Sequence, residues 1–221
     1  MSRPFDAVLF DLDGTLIDSA PDLAGAANDL RAAHGEPPLP YERFRPMVGA
    51  GARGMIGVAF GIGADSPRFL ALRDDFLARY EARMTRETHV FPQMRPVLDA
   101  LAQAGLRWGI VTNKATRFTT PLVSALGLQE TAAAVVCGDT TPHTKPHPAP
   151  LLEAAARMQA APARCVYVGD DLRDVQAGRA AGMATVAAAW GYLGIGEAIE
   201  AWGADHLVRQ PDELLNLLGL A

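Results

Sequence analysis

Asp11 and Asp13 stand one residue apart at the end of the apolar run Val8-Leu9-Phe10, within AVLFDLDGTLIDS, residues 7 to 19. A short apolar run of this kind reads as a core strand covered on both faces, and Gly14 marks the turn at which the backbone leaves it. Two neighbouring carboxylates repel one another, so a counter-charge is needed. A divalent cation is the simplest, and an all-oxygen donor set suits magnesium. VGDDLRD repeats the pattern, with Asp170, Asp171 and Asp174 following another apolar run and a glycine. Any one of these acids alone is explained as a turn former or a helix N-cap. Two acidic clusters at two strand ends argue for a site. Thr112 and Asn113, in VTNK, offer a hydroxyl and backbone N–H groups to an anion. Lys145, in TKPHPAP, is presented by a loop that Pro146 and Pro148 stiffen. Singly, Thr112 reads as a helix cap and Lys145 as a solvated charge. Together, carboxylates, metal, hydroxyl and ammonium are the parts of a phosphoryl-transfer site, which needs an in-line nucleophile and positive groups around the equatorial oxygens.

Positioning these groups requires strands that end at one edge. FDAVLF, LRWGIVTN, AAVVCGD, RCVYVGDD and MATVAAAW are β-type runs, and helical stretches such as MRPVLDALAQAG and PAPLLEAAARMQ alternate with them. That alternation predicts an α/β fold built on a doubly wound parallel sheet, in which ligands sit at the carboxyl ends of the strands. The segment from Asp18 to Arg86 has helical periodicity throughout and no strand-like run. Pro21 and Asp22 after Ser19-Ala20 fit a helix start, and Gly35 fits its stop. The expected organisation is a core of residues 1–17 and 87–221, with a small all-helical domain of residues 18–86 inserted after the first strand. HVFPQMRP, residues 89 to 96, reads as the return linker.

Composition narrows the function classes. The 221 residues are 49% hydrophobic with a formal net charge of −5, which gives no basic footprint for nucleic acid. No apolar run is long enough for a membrane span, and MSRPFDAVLF does not read as a secretory signal. Cys137 and Cys165 lie in apolar strand-like runs and are expected as buried thiols, which makes the cytoplasm the expected compartment.

DLDGTLIDS, VTNK, TKPHPAP and GDDLRD occur in the order of the motifs of the haloacid dehalogenase superfamily, and nearly the whole chain resembles its phosphatase branch with a helical cap. The resemblance implies that Asp11 is a nucleophile forming an aspartyl-phosphate. It implies that Asp13 protonates the leaving alkoxide and then activates water. Thr112 and Lys145 would hold the phosphoryl group, with backbone N–H groups near Leu12 and Asn113. Asp11, the carbonyl of Asp13, and Asp170 would bind magnesium. Asp174 would orient Lys145 or metal-bound water, a task that Asp171 could share. Asp13 also argues for an oxygen leaving group, since displacing halide needs no proton.

The resemblance further implies a small phosphorylated metabolite as partner, bound to a monomer or a homodimer. MVGAGARGM, residues 47 to 55, resembles the cap loop of phosphoglycolate phosphatases, and its glycines would allow close backbone approach to a ligand. Arg53 there could pair with a substrate carboxylate, a solvated helix residue being the competing account. Arg117 is a second candidate cation. GARGM, WGIVTNKATRF, VGDDLRDVQAGRAAG and WGAD also resemble phosphatases of N-acetylmuramic acid 6-phosphate. Phosphoglycolate is the leading expectation and the sugar acid phosphate the alternative. A sugar phosphomutase of the same fold, using the same Asp11 and Asp13, ranks below both.

Overall fold

The computed structural model describes residues 3–220, which divide into two units. Unit one, residues 3–17, 90–191 and 197–220, is the α/β core. In chain order the elements are β1 (Ala7–Phe10), β2 (Ile17–Asp18), α1 (Ala20–Ala33), α2 (Tyr41–Phe44), α3 (Gly51–Phe60), α4 (Phe69–Glu81), β3 (His89–Val90), α5 (Met94–Gln103), β4 (Arg107–Val111), α6 (Thr116–Ala125), β5 (Ala134–Val136), α7 (Ala149–Arg157), β6 (Cys165–Gly169), α8 (Leu172–Ala180), β7 (Ala184–Ala188), β8 (His206–Val208) and α9 (Glu213–Leu218).

The main sheet has the order β5-β4-β1-β6-β7-β8 and is parallel throughout, while β2 and β3 form a separate two-stranded sheet. β1 lies at the centre because all four of its residues are apolar and fully buried, so both faces must be covered. Ala7 and Leu9 pack with Leu151, Ala154 and Met158 of the α7 segment, and with Cys165 and Tyr167 of β6. By the two-residue period of a strand, Val8 and Phe10 face the other way, and Phe10 meets the Trp108 ring edge-on at 6.2 Å. The chain winds outward from β1 to β5 on one side and then from β6 to β8 on the other. This reversal beside β1 is where such sheets open a crevice. The five expected strands are present. β8 is an addition: HLV is too short to show an alternation. Cys137 and Cys165 are buried free thiols.

The second unit, Asp18–His89 with Tyr192–Gly196, is helical apart from the strand residues at its two ends. Pro and Asp in the first turn of α1 and Gly35 at φ +73° beyond its end match the start and stop read from the sequence. The insert ends three residues later than expected, at His89, and Tyr192–Gly196, expected in the core, groups with it. Tyr192 accounts for that grouping. Its hydroxyl accepts from the backbone N–H of Ser19 at 2.8 Å and of Ala20 at 3.1 Å, and donates to Asp18 at 3.0 Å. The N–H groups at the start of α1, which have no partner within the helix, are thereby satisfied.

Asp22 closes the same unit. Its fully buried carboxylate accepts from Glu87 N at 3.0 Å, Thr88 N at 2.8 Å and Thr88 Oγ1 at 2.8 Å, with Arg83 Nε at 3.5 Å. One acid on the first turn of α1 thus anchors the last residues of the insert. Asp22→Ala should destabilise the helical unit by about 3 kcal/mol, because it takes the acceptor away from the N–H groups of Glu87 and Thr88 and from the buried Thr88 hydroxyl. Asp22→Asn, which keeps an acceptor oxygen, should lose less. Urea unfolding midpoints followed by circular dichroism check both, and equal losses in the two variants would show that the hydrogen bonds contribute little.

Candidate active site

Asp11 follows β1, Thr112 follows β4 and Asp170 follows β6, so three polar side chains leave neighbouring parallel strands at their carboxyl ends. The strands continue to be pinned where the acids begin. Asp11 N donates to Val168 O and Thr112 N to Val136 O, both at 2.9 Å. Beyond Asp11 the chain folds back at once, with Gly14 at φ +83° and its N–H bonded to Ile17 O. A left-handed residue is required there, which explains the glycine.

Lys145 is the hub. Its buried ammonium lies 2.9 Å from Asp11 Oδ1 and 2.8 Å from Asp174 Oδ1, and also donates to the Tyr167 hydroxyl at 2.8 Å and Val111 O at 3.0 Å. Asn113 fixes the loop that delivers it: its amide donates to Lys145 O at 3.0 Å and accepts from Lys145 N at 2.9 Å. The Asn113 side chain therefore acts on the lysine loop, a role the sequence reading did not give it. Burial lowers the basicity of the Lys145 ammonium, but Asp11 and Asp174 more than offset this and hold it charged, above the usual lysine range. Burial also pushes the Asp11 carboxyl up to about 7, against the pull of Lys145, and the charges of Asp174 and Asp13 add to the rise.

The two oxygens of Asp11 have different surroundings. Oδ1 accepts from Leu12 N at 2.7 Å and pairs with Lys145, while Oδ2 has no partner among the described residues. Asp13 is held by Lys114, whose ammonium lies 3.1 Å from each carboxylate oxygen. Thr112 is buried, and its Oγ1 accepts from Lys114 N at 3.1 Å. Asp170 Oδ1 accepts from Thr15 Oγ1 at 3.0 Å, and Trp190 steadies Thr15 through its carbonyl, also at 3.0 Å.

Asp171 and Asp174, adjacent in the sequence pattern, do different work. Asp171 is the N-cap of α8: it accepts from Arg173 N and forms a two-pronged pair with the Arg173 guanidinium at 2.7 and 2.8 Å. Burial raises its carboxyl, but Arg173 outweighs this and keeps it below the usual aspartate range. Asp174 bonds back to Asp171 N at 3.1 Å and pairs with Lys145, which Asp171 does not. Two glycines make room. A Cβ at Gly169 would collide with the Asp174 carboxylate, and one at Gly191 with Asp170.

Asp11, Asp170 and Asp174 bring carboxylate oxygens within 4.8 Å of one another. Counting Asp13, four carboxylates face the ammoniums of Lys145 and Lys114, so full ionisation leaves an excess equal to the charge of one divalent cation. The donors are hard oxygens, which fits magnesium. Arg53 is not in this cluster. It sits exposed on α3 in the helical unit, with no hydrogen-bond or ion-pair partner among the described residues. Arg117 lies over the Phe118 ring at 4.3 Å. Lys114, Tyr167 and Thr15 were missed by sequence reasoning. Lys114 was within reach of it, as the next residue of VTNK, but Tyr167 reads as one more apolar strand residue.

Residues 5–182 match the family model of haloacid dehalogenase-like hydrolases. An N-acetylmuramic acid 6-phosphate phosphatase of Pseudomonas aeruginosa is 43% identical over 97% of this chain and 95% of the relative. A phosphoglycolate phosphatase of Xanthomonas campestris is 47% identical over 94% of each chain. The crystal structure of a predicted phosphoglycolate phosphatase from Haemophilus somnus superposes with a TM-score of 0.84 at 26% identity, covering 97% of this chain and 98% of that one. Fold, motif order and relatives agree: the chain belongs to the haloacid dehalogenase-like hydrolase family.

Proposed function

We propose that this phosphatase hydrolyses the phosphomonoester of a small carboxylated metabolite through a phosphorylated Asp11. The observation that carries the reading is the asymmetric fixation of Asp11, one oxygen held by Lys145 and Leu12 N and the other unengaged. A carboxylate fixed in this way presents a defined lone pair, and orientation of a reacting group is worth several kcal/mol of barrier.

In the first step Asp11 Oδ2 attacks phosphorus, the bond to the ester oxygen breaks with its electron pair, and Asp13 in its acid form gives the departing alkoxide a proton. In the second, water attacks the aspartyl-phosphate, Asp13 takes the water's proton, and the Asp11 carboxylate is released with inorganic phosphate. Lys145 and Thr112 stand ready to offset charge on the phosphoryl oxygens, as does the N–H of Leu12 or Asn113. Lys114 anchors Asp13 between the two steps. Asp11 and Asp170, with the carbonyl of Asp13, would hold magnesium, and Asp174 is left to Lys145. The ion, when bound, would neutralise charge at the phosphoryl group and favour the ionised form of Asp11 that burial opposes. The buried free thiols Cys137 and Cys165 support a cytoplasmic location.

For the substrate, relatives of similar identity bear the names of phosphatases for two carboxylated phosphates, phosphoglycolate and N-acetylmuramic acid 6-phosphate. Phosphoglycolate leads, with the sugar acid phosphate as the alternative. Release of inorganic phosphate from both, and from p-nitrophenyl phosphate, tests the class. One acid should exceed the neutral ester in kcat/KM by at least about tenfold, as expected for one charge-assisted contact. A neutral ester that equals both acids would overturn the carboxylate reading.

Asp11→Asn should lower kcat by at least about a thousandfold with the fold retained, since an amide of nearly equal volume cannot form the intermediate. More than a few per cent of residual activity in a freshly purified sample would sink the covalent route. Activity should vanish after exhaustive chelation and return with magnesium. Calcium should inhibit, because its larger, looser shell can take both oxygens of Asp11. Full turnover in chelator would remove Asp170 from its role.

A further inference from the structure

The helical unit contains a cavity of about 870 Å³ formed by its own residues, at the upper end of the range of small-molecule sites. Its lining is cationic. Arg31, Arg43, Arg53 and Arg68 all border it, from α1, α2, α3 and the turn before α4. Arg31 is occupied: it is buried, bonds to Pro37 O and Ala59 O, and lies 3.6 Å from Glu36, the acid in the lining. Arg43 and Arg53 have no side-chain hydrogen bond or ion pair among the described residues, and Arg68 only lies over the Phe60 ring at 5.9 Å. Three arginines thus line one concavity with no carboxylate paired to them among the described residues. Cations lining one concavity raise the local positive potential, which favours an anionic ligand.

The rest of the wall is apolar. Phe60, Val58, Ile62 and Met47 border the cavity, and the Phe60 ring is held edge-on by His34 at 5.5 Å. An aromatic ring and aliphatic groups beside free guanidiniums suit a ligand with a C–H-rich body and an acidic group. The planar fork of arginine matches a carboxylate. The volume far exceeds that of a two-carbon acid and accommodates a sugar ring with substituents.

We propose that this cavity of the helical unit binds a sugar-sized carboxylic acid, its carboxylate held by Arg43, Arg53 and Arg68 and its ring packed on Phe60. The choice of probe rests on the reading of a carboxylated substrate, but binding is measured without turnover, so its failure is distinct from failure of the Asp11 chemistry.

The test compares N-acetylmuramic acid with N-acetylglucosamine, which lacks the lactyl carboxylate, and with inorganic phosphate. Each is titrated by calorimetry into the full-length protein, with backbone amide shifts of Gly57, Gly61 and Gly63 locating the site. N-acetylmuramic acid should bind at least about tenfold more tightly than N-acetylglucosamine and move those amides. Arg43→Ala, Arg53→Ala and Arg68→Ala should each weaken it about five- to tenfold, and because these side chains are exposed the thermal midpoint should hold. Phe60→Leu should weaken both sugars alike. Equal binding of the two sugars, unchanged affinity in all three arginine variants, or no binding up to about 10 mM would each overturn the proposal. So would phosphate displacing N-acetylmuramic acid at comparable concentration, which would make the cavity a general anion trap.

Discussion

A buried ammonium between two carboxylates organises the core unit of this protein. Lys145 reaches Asp11 and Asp174, which leave the ends of two different elements, and its loop is tied by Asn113 to the end of a third. Taking such charges out of water is costly, and the cost is met only when each has partners in good geometry. Here the partners are numerous: a tyrosine hydroxyl, a backbone carbonyl, a backbone N–H and two carboxylates. Removing the ammonium would leave two neighbouring carboxylates with no cation between them. The strand ends, the lysine loop and the start of α8 are therefore constrained together.

That constraint bears directly on reactivity. A carboxylate in this environment is drawn toward its neutral form by burial and held toward its ionised form by Lys145. The balance keeps Asp11 from being an inert ion pair: one oxygen is spoken for and the other is not. Asp13 is supported separately by Lys114, so Asp11 and Asp13 do not share a cation. Two carboxylates with different supports can take different parts in one reaction.

The helical unit obeys a different economy. Its internal order comes from two buried polar clasps, Asp22 on the Glu87–Thr88 backbone and Tyr192 on the start of α1, and from packing of α1, α3 and α4 against one another. Arg43 and Arg53, in contrast, border a concave surface of this unit with no side-chain hydrogen bond or ion pair among the described residues. The core thus pairs nearly every charge it buries, whereas the cavity of the helical unit presents cations to solvent.

Much of this was written in the sequence because it is local. AVLF followed by Asp-Leu-Asp-Gly specifies a buried strand, its end, two acids and a turn, all within contact distance along the chain. The same holds for VGDD and for the helical period of residues 18–86. What the sequence could not supply is set by packing between distant segments. The division of labour between Asp171 and Asp174 depends on helical geometry, which turns one toward Arg173 and the other toward Lys145. Tyr167 looks like any apolar strand residue until β6 is laid beside β1 and its hydroxyl meets Lys145. Asn113, offered by its position as an anion donor, becomes a clamp only when a loop 32 residues away arrives beside it. Tyr192 belongs to the helical unit though more than a hundred residues separate it from α1, since only the folded chain brings its hydroxyl to the unpaired N–H groups there. Local patterning determined which chemical groups stand at the strand ends; long-range packing decided which of them touch.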